Sequence, residues 1–278
     1  MIDESLIKKC KEASRRMRIN AIKMTYNAGN VGAHIGGALS MIEIMSALYL
    51  GVIKYDINNP CWEERDRFIL SKGHGVIAQY TALKELGVIT NDDLLTFKQN
   101  GTQLYAHPSM NIKMGIEFSS GSLGQGLSLG VGSALALKRK NNNFSRVFVL
   151  LGDGECDEGA IWEAAACAAH YKLSNLIAIV DKNNLQYDGS TTEVLSMEIL
   201  EEKWKSFGWK CVSVNGHSEE ELLYALSIES KVPLAIIANT IKGKGVTFME
   251  NNHIWHNGRL TKEQFTQAMK EQECEMID

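Results

Sequence analysis

Short runs of consecutive apolar residues alternate along this chain with longer stretches whose apolar positions recur at helical spacing. Val147–Leu151 and Leu176–Val180 are continuous, β-branched and closed by turn residues, the pattern of strands buried on both faces. Between them, Glu158–Tyr171 carries Ala160, Ile161, Ala164, Ala165, Ala168 and Ala169 at the spacing of a helix's buried face. Strand, helix, strand in that order predicts a right-handed parallel crossover, with both strands ending at one edge. Open α/β sheets bind their ligands along that carboxyl edge.

The same reading extends to both sides. A helix is predicted from about Ser5 to Ala28, with Leu6, Cys10, Ala13, Met17, Ala21 and Met24 on its buried face. Ser40 and Glu43 form a Ser-x-x-Glu pattern that predicts a capped helix over Met41–Leu50. Residues 54–66 read as an exposed connection, Arg67–Leu70 as a strand and Val76–Leu86 as a helix, and Thr90 is placed to cap another helix. Ser119–Gly126 opens a long Gly- and Ala-rich helix ending near Arg139, and the cationic run 138–140 suits that terminus. Val212–Val214 and Leu234–Ala238 read as strands separated by a helix from Ser218 to about Ser230, opened by a capping box to Glu221. A short polar helix follows Thr261. The fold class expected is α/β, a mainly parallel sheet with helices on both faces, as one domain over 1–278.

Composition narrows the function. A net charge of −4 over 278 residues, with mixed signs along the chain, gives no electrostatic footprint for nucleic acid or an acidic membrane. No apolar run approaches the roughly 20 residues of a membrane span, and the first residues lack a basic-then-apolar signal, so a cytoplasmic location is expected. Six cysteines, at 10, 61, 156, 167, 211 and 274, are scattered without a Cys-x-x-Cys pair and read as reduced thiols. Cys156 alone lies near the candidate site, where it reads as a small space-filling residue.

The chemistry sits at the strand ends. Asp153 follows the first central strand within Gly152-Asp153-Gly154, and Asn183 follows the second. A carboxylate, an amide oxygen and a nearby backbone carbonyl are hard donors suited to Mg²⁺ or Ca²⁺, whose shell phosphate oxygens often complete. The two glycines let backbone approach such a group closely. Five of the seven histidines, 34, 74, 107, 253 and 256, lie in loops beside Gly, Pro or Asn. Imidazole there can bind a sugar hydroxyl or move a proton near neutral pH. His170 reads as a helix-end cation, and His217 as a residue before a capping serine. Gly121-x-x-Gly124-x-Gly126 is not a dinucleotide fingerprint, and Lys242-Gly-Lys-Gly245 is not a Walker loop because Gly245 stands where Ser or Thr is needed.

The Gly-Asp-Gly…Asn pair resembles the thiamine diphosphate signature. With the His34 glycine loop, Ser71–Gly75, His107-Pro108, Gly121–Gly126, Asp188-Gly189 and Lys242–Gly245, nearly the whole chain resembles the N-terminal, diphosphate-binding half of transketolase. The resemblance implies that Asp153, Asn183 and the Leu185 carbonyl hold Mg²⁺ or Ca²⁺. It sets Gly154 and His74 against the diphosphate of the cofactor, and Gly121 and Leu123 beside its rings. His34 and His107 match positions that contact the sugar. His253 or His256 matches a further histidine near diphosphate and substrate, with His253 favoured for the catalytic role and His256 for cofactor binding. Glu158 and Glu163 match acids that link paired active sites, although Glu158 also suits a helix's first turn.

Complete transketolases continue with a pyrimidine-binding domain, which carries the catalytic glutamate, and a C-terminal domain. The resemblance therefore implies a second polypeptide bearing those parts, in an α₂β₂ assembly. The reaction implied is transfer of a two-carbon unit from a ketose phosphate to an aldose phosphate. Two alternatives stand beside it: a related thiamine diphosphate enzyme for a specialised sugar phosphate or another synthase reaction, and a non-catalytic binding module that retains the fold.

Overall fold

Four apolar runs and one alternating segment become five parallel strands: β1 (Arg67–Leu70), β2 (Val147–Gly152), β3 (Leu176–Lys182), the alternating β4 (Lys210–Asn215) and β5 (Leu234–Asn239). The computed structural model describes residues 2–142 and 144–274. The strand order is β1-β2-β3-β5-β4, and every pairing is parallel. Successive residues of the inner strands feed two separate cores. Phe148, Leu150, Ile177, Ile179, Leu234 and Ile236 pack on one face, while Val147, Val149, Leu151, Leu176, Ala178, Val180 and Ile237 pack on the other. This is why the runs are unbroken: a strand covered on both sides has no position left for water. Each such Leu, Ile or Val contributes roughly 1.5–3 kcal/mol relative to exposure.

Helices Glu4–Asn27, Ile42–Ala47, Val76–Glu85 and Glu219–Leu226 cover the first face, and Gln125–Arg139, Gly159–His170 and Leu200–Ser206 the second. The first helix, the central helix and the Thr90 capping box with Asp93 form as the pattern predicts. The long helix starts at Gln125, and its basic end is used: Lys138 Nζ donates to the Tyr171 carbonyl at 2.7 Å. Gly126 lets its first turn approach β1, because a Cβ there would lie 2.7 Å from Ser71 Cα.

Of two expected capping boxes, one fails and one forms only in part. Ser40 does not cap the following helix; it ends the short helix Gly36–Leu39, and its hydroxyl donates to Asp181 Oδ2 at 2.6 Å. Its partner Glu43 is buried and pairs with Arg18 and His217 instead. Tertiary partners outcompete the local cap, and the regular helix is confined to Ile42–Ala47, followed by a π-turn over Leu48–Val52. At the second site Ser218 caps as expected, but Glu221 turns to the Asn215 N–H and the helix ends at Leu226, short of Ser230.

The register fixes the site. Gly152 lies opposite Asp181, and Lys182 opposite Asn239, so β2, β3 and β5 finish together. Asp153, Asn183 and Thr240 leave the sheet side by side along its carboxyl edge.

Candidate active site

A cleft of about 280 Å³ opens at that edge. Asp153, Gly154, Asn183, Leu185, His74, Leu123 and His256 all line it, as do Lys72, Glu155, Gln186, Tyr187 and Lys242. Asp153 is held by the Gly154 N–H at 2.9 Å and the Asn184 N–H at 2.5 Å. The Asn183 side chain is oriented from both ends. Its Nδ2 donates to Asp181 Oδ2 at 3.3 Å, and its Oδ1 accepts from the Leu185 N–H at 3.2 Å.

Beneath these groups lies a buried ion pair between Lys72 and Asp181, and Ser40 and Thr240 also donate to the same carboxylate. Burial pushes Asp181 up, but the ammonium of Lys72 overrides it and holds the carboxyl below its ordinary value. Lys72 also donates to the Gly37 carbonyl at 2.9 Å, tying the His34 loop to the sheet. Glu155 performs a similar task on the other side. It accepts from Ser71 and from the N–H groups of Gly124 at 2.9 Å and Gly152 at 3.0 Å, joining three loop starts.

The histidines converge. The His34 ring lies 5.6 Å from those of His74 and His107 and 5.5 Å from that of His256, with His74 and His256 4.9 Å apart. Burial lowers all four. His34 falls to about 4, helped by His107 and Lys98, and His256 to about 3, helped by Lys242. His107 falls through burial and Lys98, and His74 well below the usual range through burial and Lys72. At pH 7 these four imidazoles are therefore neutral, each with one donor and one acceptor nitrogen. Lys242, pushed down to about 8 by burial and by Lys72, donates to His256 Nδ1 at 3.0 Å, so Nε2 carries that ring's proton.

Six of the sequence-derived residues are absent from the cleft lining: His34 and His107, whose rings stand beside it, and Gly121, His253, Glu158 and Glu163. His253 is exposed and absent from the cleft lining, whereas His256 enters it. Glu158 and Glu163 are exposed; Glu158 packs against Gly124 at the edge of the loop. Gly121 lies against the His107 ring, in a hollow beside the cleft. Cys156 is fully buried, and burial pushes its thiol well above the usual range, in keeping with a space-filling role. Cys10, Cys61, Cys167 and Cys211 are likewise free thiols, and the side chain of Cys274 lies outside the described residues.

Sequence reasoning assigned no role to Lys72, Glu155, Asp181 or Lys242, all of them buried. One signal was available: Asp181 continues an apolar run that is buried on both faces, where an acid requires a paired cation. His217 is also more than a residue before a cap. It accepts the Ile241 N–H at Nε2 (2.8 Å), which leaves Nδ1 to donate to Glu43 at 3.0 Å.

The donor set fits a divalent cation. Among the described residues no group of three or more His, Cys, Asp and Glu is arranged to hold a metal, but this set consists of one carboxylate, one amide and one carbonyl. Around it, among the described residues, Asp153, Glu155 and Asp181 face only Lys72 and Lys242 as buried cations. That imbalance shows at Asp153, where burial and the neighbouring Asp181 push the carboxyl up to about 6. A cation would relieve it.

A five-stranded parallel sheet with an oxygen-donor pair and imidazoles at its carboxyl edge has the arrangement of an α/β ligand-binding site. Residues 8–275 match the family model described as transketolase, thiamine diphosphate binding domain. The chain belongs to the transketolase family of transferases, as the thiamine diphosphate-binding unit. It is 43% identical to the 6-deoxy-6-sulfo-D-fructose transketolase subunit SqwG of a Clostridium species, over 89% of this chain and 91% of the relative. It is 40% identical to an apulose-4-phosphate transketolase subunit of Phocaeicola vulgatus, over 93% of this chain and 92% of the relative. The crystal structure of Campylobacter jejuni transketolase superposes with a TM-score of 0.85 at 28% identity, covering 98% of this chain and 43% of that one. The chain thus spans less than half of that transketolase but nearly all of each relative named as a subunit.

Proposed function

We propose that this chain is one diphosphate-binding domain that serves as the first subunit of a two-chain transketolase, transferring a two-carbon ketol unit from a ketose phosphate to an aldose phosphate. A second polypeptide supplies the pyrimidine-binding domain and the catalytic glutamate, in an α₂β₂ assembly. The carrying observation is that His74 and His256 line the cleft that also holds Asp153 and Asn183, with the His34 ring within 5.6 Å of both and of His107. The relatives named as subunits, matched over nine-tenths of their length, support the two-chain reading.

Asp153, Asn183 and the Leu185 carbonyl hold Mg²⁺ or Ca²⁺, with Gly154, His74 and Lys242 towards the diphosphate. When bound, thiamine diphosphate supplies the electron sink that lets a carbon–carbon bond beside a ketose carbonyl break. Leu123, an exposed apolar side chain in the cleft, and Gly121 flank the cofactor rings. His34 and His107 hold the sugar hydroxyls; a neutral imidazole at pH 7 can take a hydroxyl proton and return it. His256 rather than His253 completes this set, with Nε2–H as its donor. Glu158 and Glu163, both exposed, are available to a second copy across paired sites. The free thiols suit a reducing compartment, and the reading places the enzyme in the cytoplasm.

The test is Asp153→Ala. Calorimetry with thiamine diphosphate and Mg²⁺ should show cofactor binding lost, and retained tight binding would sink the site assignment. Purified with its partner chain, the native protein should transfer ketol units in a coupled assay. One refinement has specific support. The relatives are named for 6-deoxy-6-sulfo-D-fructose and apulose-4-phosphate, which favours a specialised sugar over those of central metabolism. A panel of ketose donors with the reconstituted pair distinguishes the two.

A further inference from the structure

The loops carrying His34, His107 and His256 are strapped together around Gly32. Ala33 exchanges two backbone hydrogen bonds with Gly258, at 2.8 and 3.0 Å, which docks the His256 segment against the His34 loop. Gly32 has φ +61°, and a Cβ there would lie 2.7 Å from the Gly258 carbonyl oxygen, so a side chain is excluded. The Gly32 carbonyl accepts from Lys98 Nζ at 2.8 Å, and the Val31 carbonyl from the same ammonium at 3.4 Å. Lys98 belongs to the loop that leads to His107, and its N–H donates to the Leu104 carbonyl at 2.9 Å, which closes that loop. Its φ of 60° is uncommon for a residue with a side chain.

We propose that Lys98 is a positioning residue of the sugar end of the cleft: by clamping the His107 loop to the carbonyls of the His34 loop, it fixes the two imidazoles relative to one another. The inference rests on the reading that these imidazoles handle the sugar. Charge supports the geometry. His34 is faced by His107, Lys98 and Lys242, with the rings of His74 and His256 beside it, and His107 is faced by Lys98 and His34. After burial, Lys98 is a cation acting on both rings, and it favours their neutral forms. A protonated imidazole could only donate, whereas a neutral one can also accept a hydroxyl proton.

The test compares Lys98→Met, Lys98→Gly and Lys98→Arg in the full chain and in the reconstituted pair. Glycine accepts the positive φ, so Lys98→Gly keeps the loop foldable while removing the ammonium. Histidine NMR titrations of the chain alone, assigned with His34→Asn and His107→Asn, should show both rings titrating at higher pH in the Met and Gly variants and near native values in the Arg variant. In the pair, kcat/KM should fall roughly tenfold or more in Met and Gly. The acid limb of its pH profile should move up, with Arg restoring both. Unmoved titrations, or a variant that loses only thermal stability, overturn the proposal. Absence of ketol transfer by the native pair would remove the functional reading instead, and the titrations would still decide the role of Lys98.

Discussion

Lys242 donates to the Leu185 carbonyl at 2.9 Å, so the oxygen matched to a metal ligand is already held by a buried cation that also fixes His256. Lys242→Met removes that cation and leaves His256 Nδ1 without its donor. Thiamine diphosphate affinity in Mg²⁺ should fall roughly ten- to a hundredfold, the worth of about one charged hydrogen bond. Calorimetry on the folded variant checks this; native affinity would show that Lys242 does not face the cofactor.

The Lys72–Asp181 pair makes a different prediction, about the fold. Both side chains are fully buried, so Lys72→Met strands a carboxylate beneath the sheet edge. Breaking such a pair on one side costs about 3–5 kcal/mol. Chemical denaturation should show that loss, and adding Asp181→Asn should recover part of it, because a neutral amide is cheaper to bury than an unpaired charge.

Stability in acid should depend on Glu43. Arg18 and His217 hold its carboxyl down at about 2, against the pull of burial and an ordinary value of 4.5. A group depressed by folding stabilises above its unfolded value, and that contribution disappears as pH falls through the folded one. The native protein should therefore lose stability between about 4.5 and about 2. Glu43→Gln should be less stable at pH 7 and show a flatter profile across that window, measured by denaturant titration at each pH.

Gly126→Ala should be costly although alanine favours helices. The new Cβ would run into the Ser71 hydroxyl and lie 2.7 Å from Ser71 Cα, and backbone cannot swing aside. Helix and strand must separate, with a loss of about 1–3 kcal/mol. The Gly126 N–H bond to Ser71 Oγ, 3.1 Å in the native protein, stretches with them. A thermal melt equal to that of the native chain would contradict this close approach.

Much of this protein is legible in one dimension. Four of the five strands, the central crossover and the emergence of Asp153 and Asn183 at one edge follow from unbroken apolar runs and the residues that close them, and the edge strand β4 from the alternating Val212-Ser213-Val214. Those signals are short-range: a strand covered on both faces must be apolar at every inner position, and a parallel crossover must align the ends. The loop histidines were visible as residue types, but His253 and His256 lie only three positions apart and the sequence could not say which one enters the cleft. The structure turns His256 inward because its segment is docked through Gly258 and Ala33.

The class of fold, the emergence of Asp153 and Asn183 at one strand edge and the family resemblance are all written in local runs or motifs. Which charges are buried, and what compensates them, depends on how the chain packs. Ser40 leaves its cap for Asp181, Glu43 leaves its cap for Arg18 and His217, and Lys98 reaches the Gly32 loop. In each case the partner is distant along the chain. A buried polar group must satisfy itself with whatever the packed fold brings within about 3 Å, and that requirement overrides a weaker local preference.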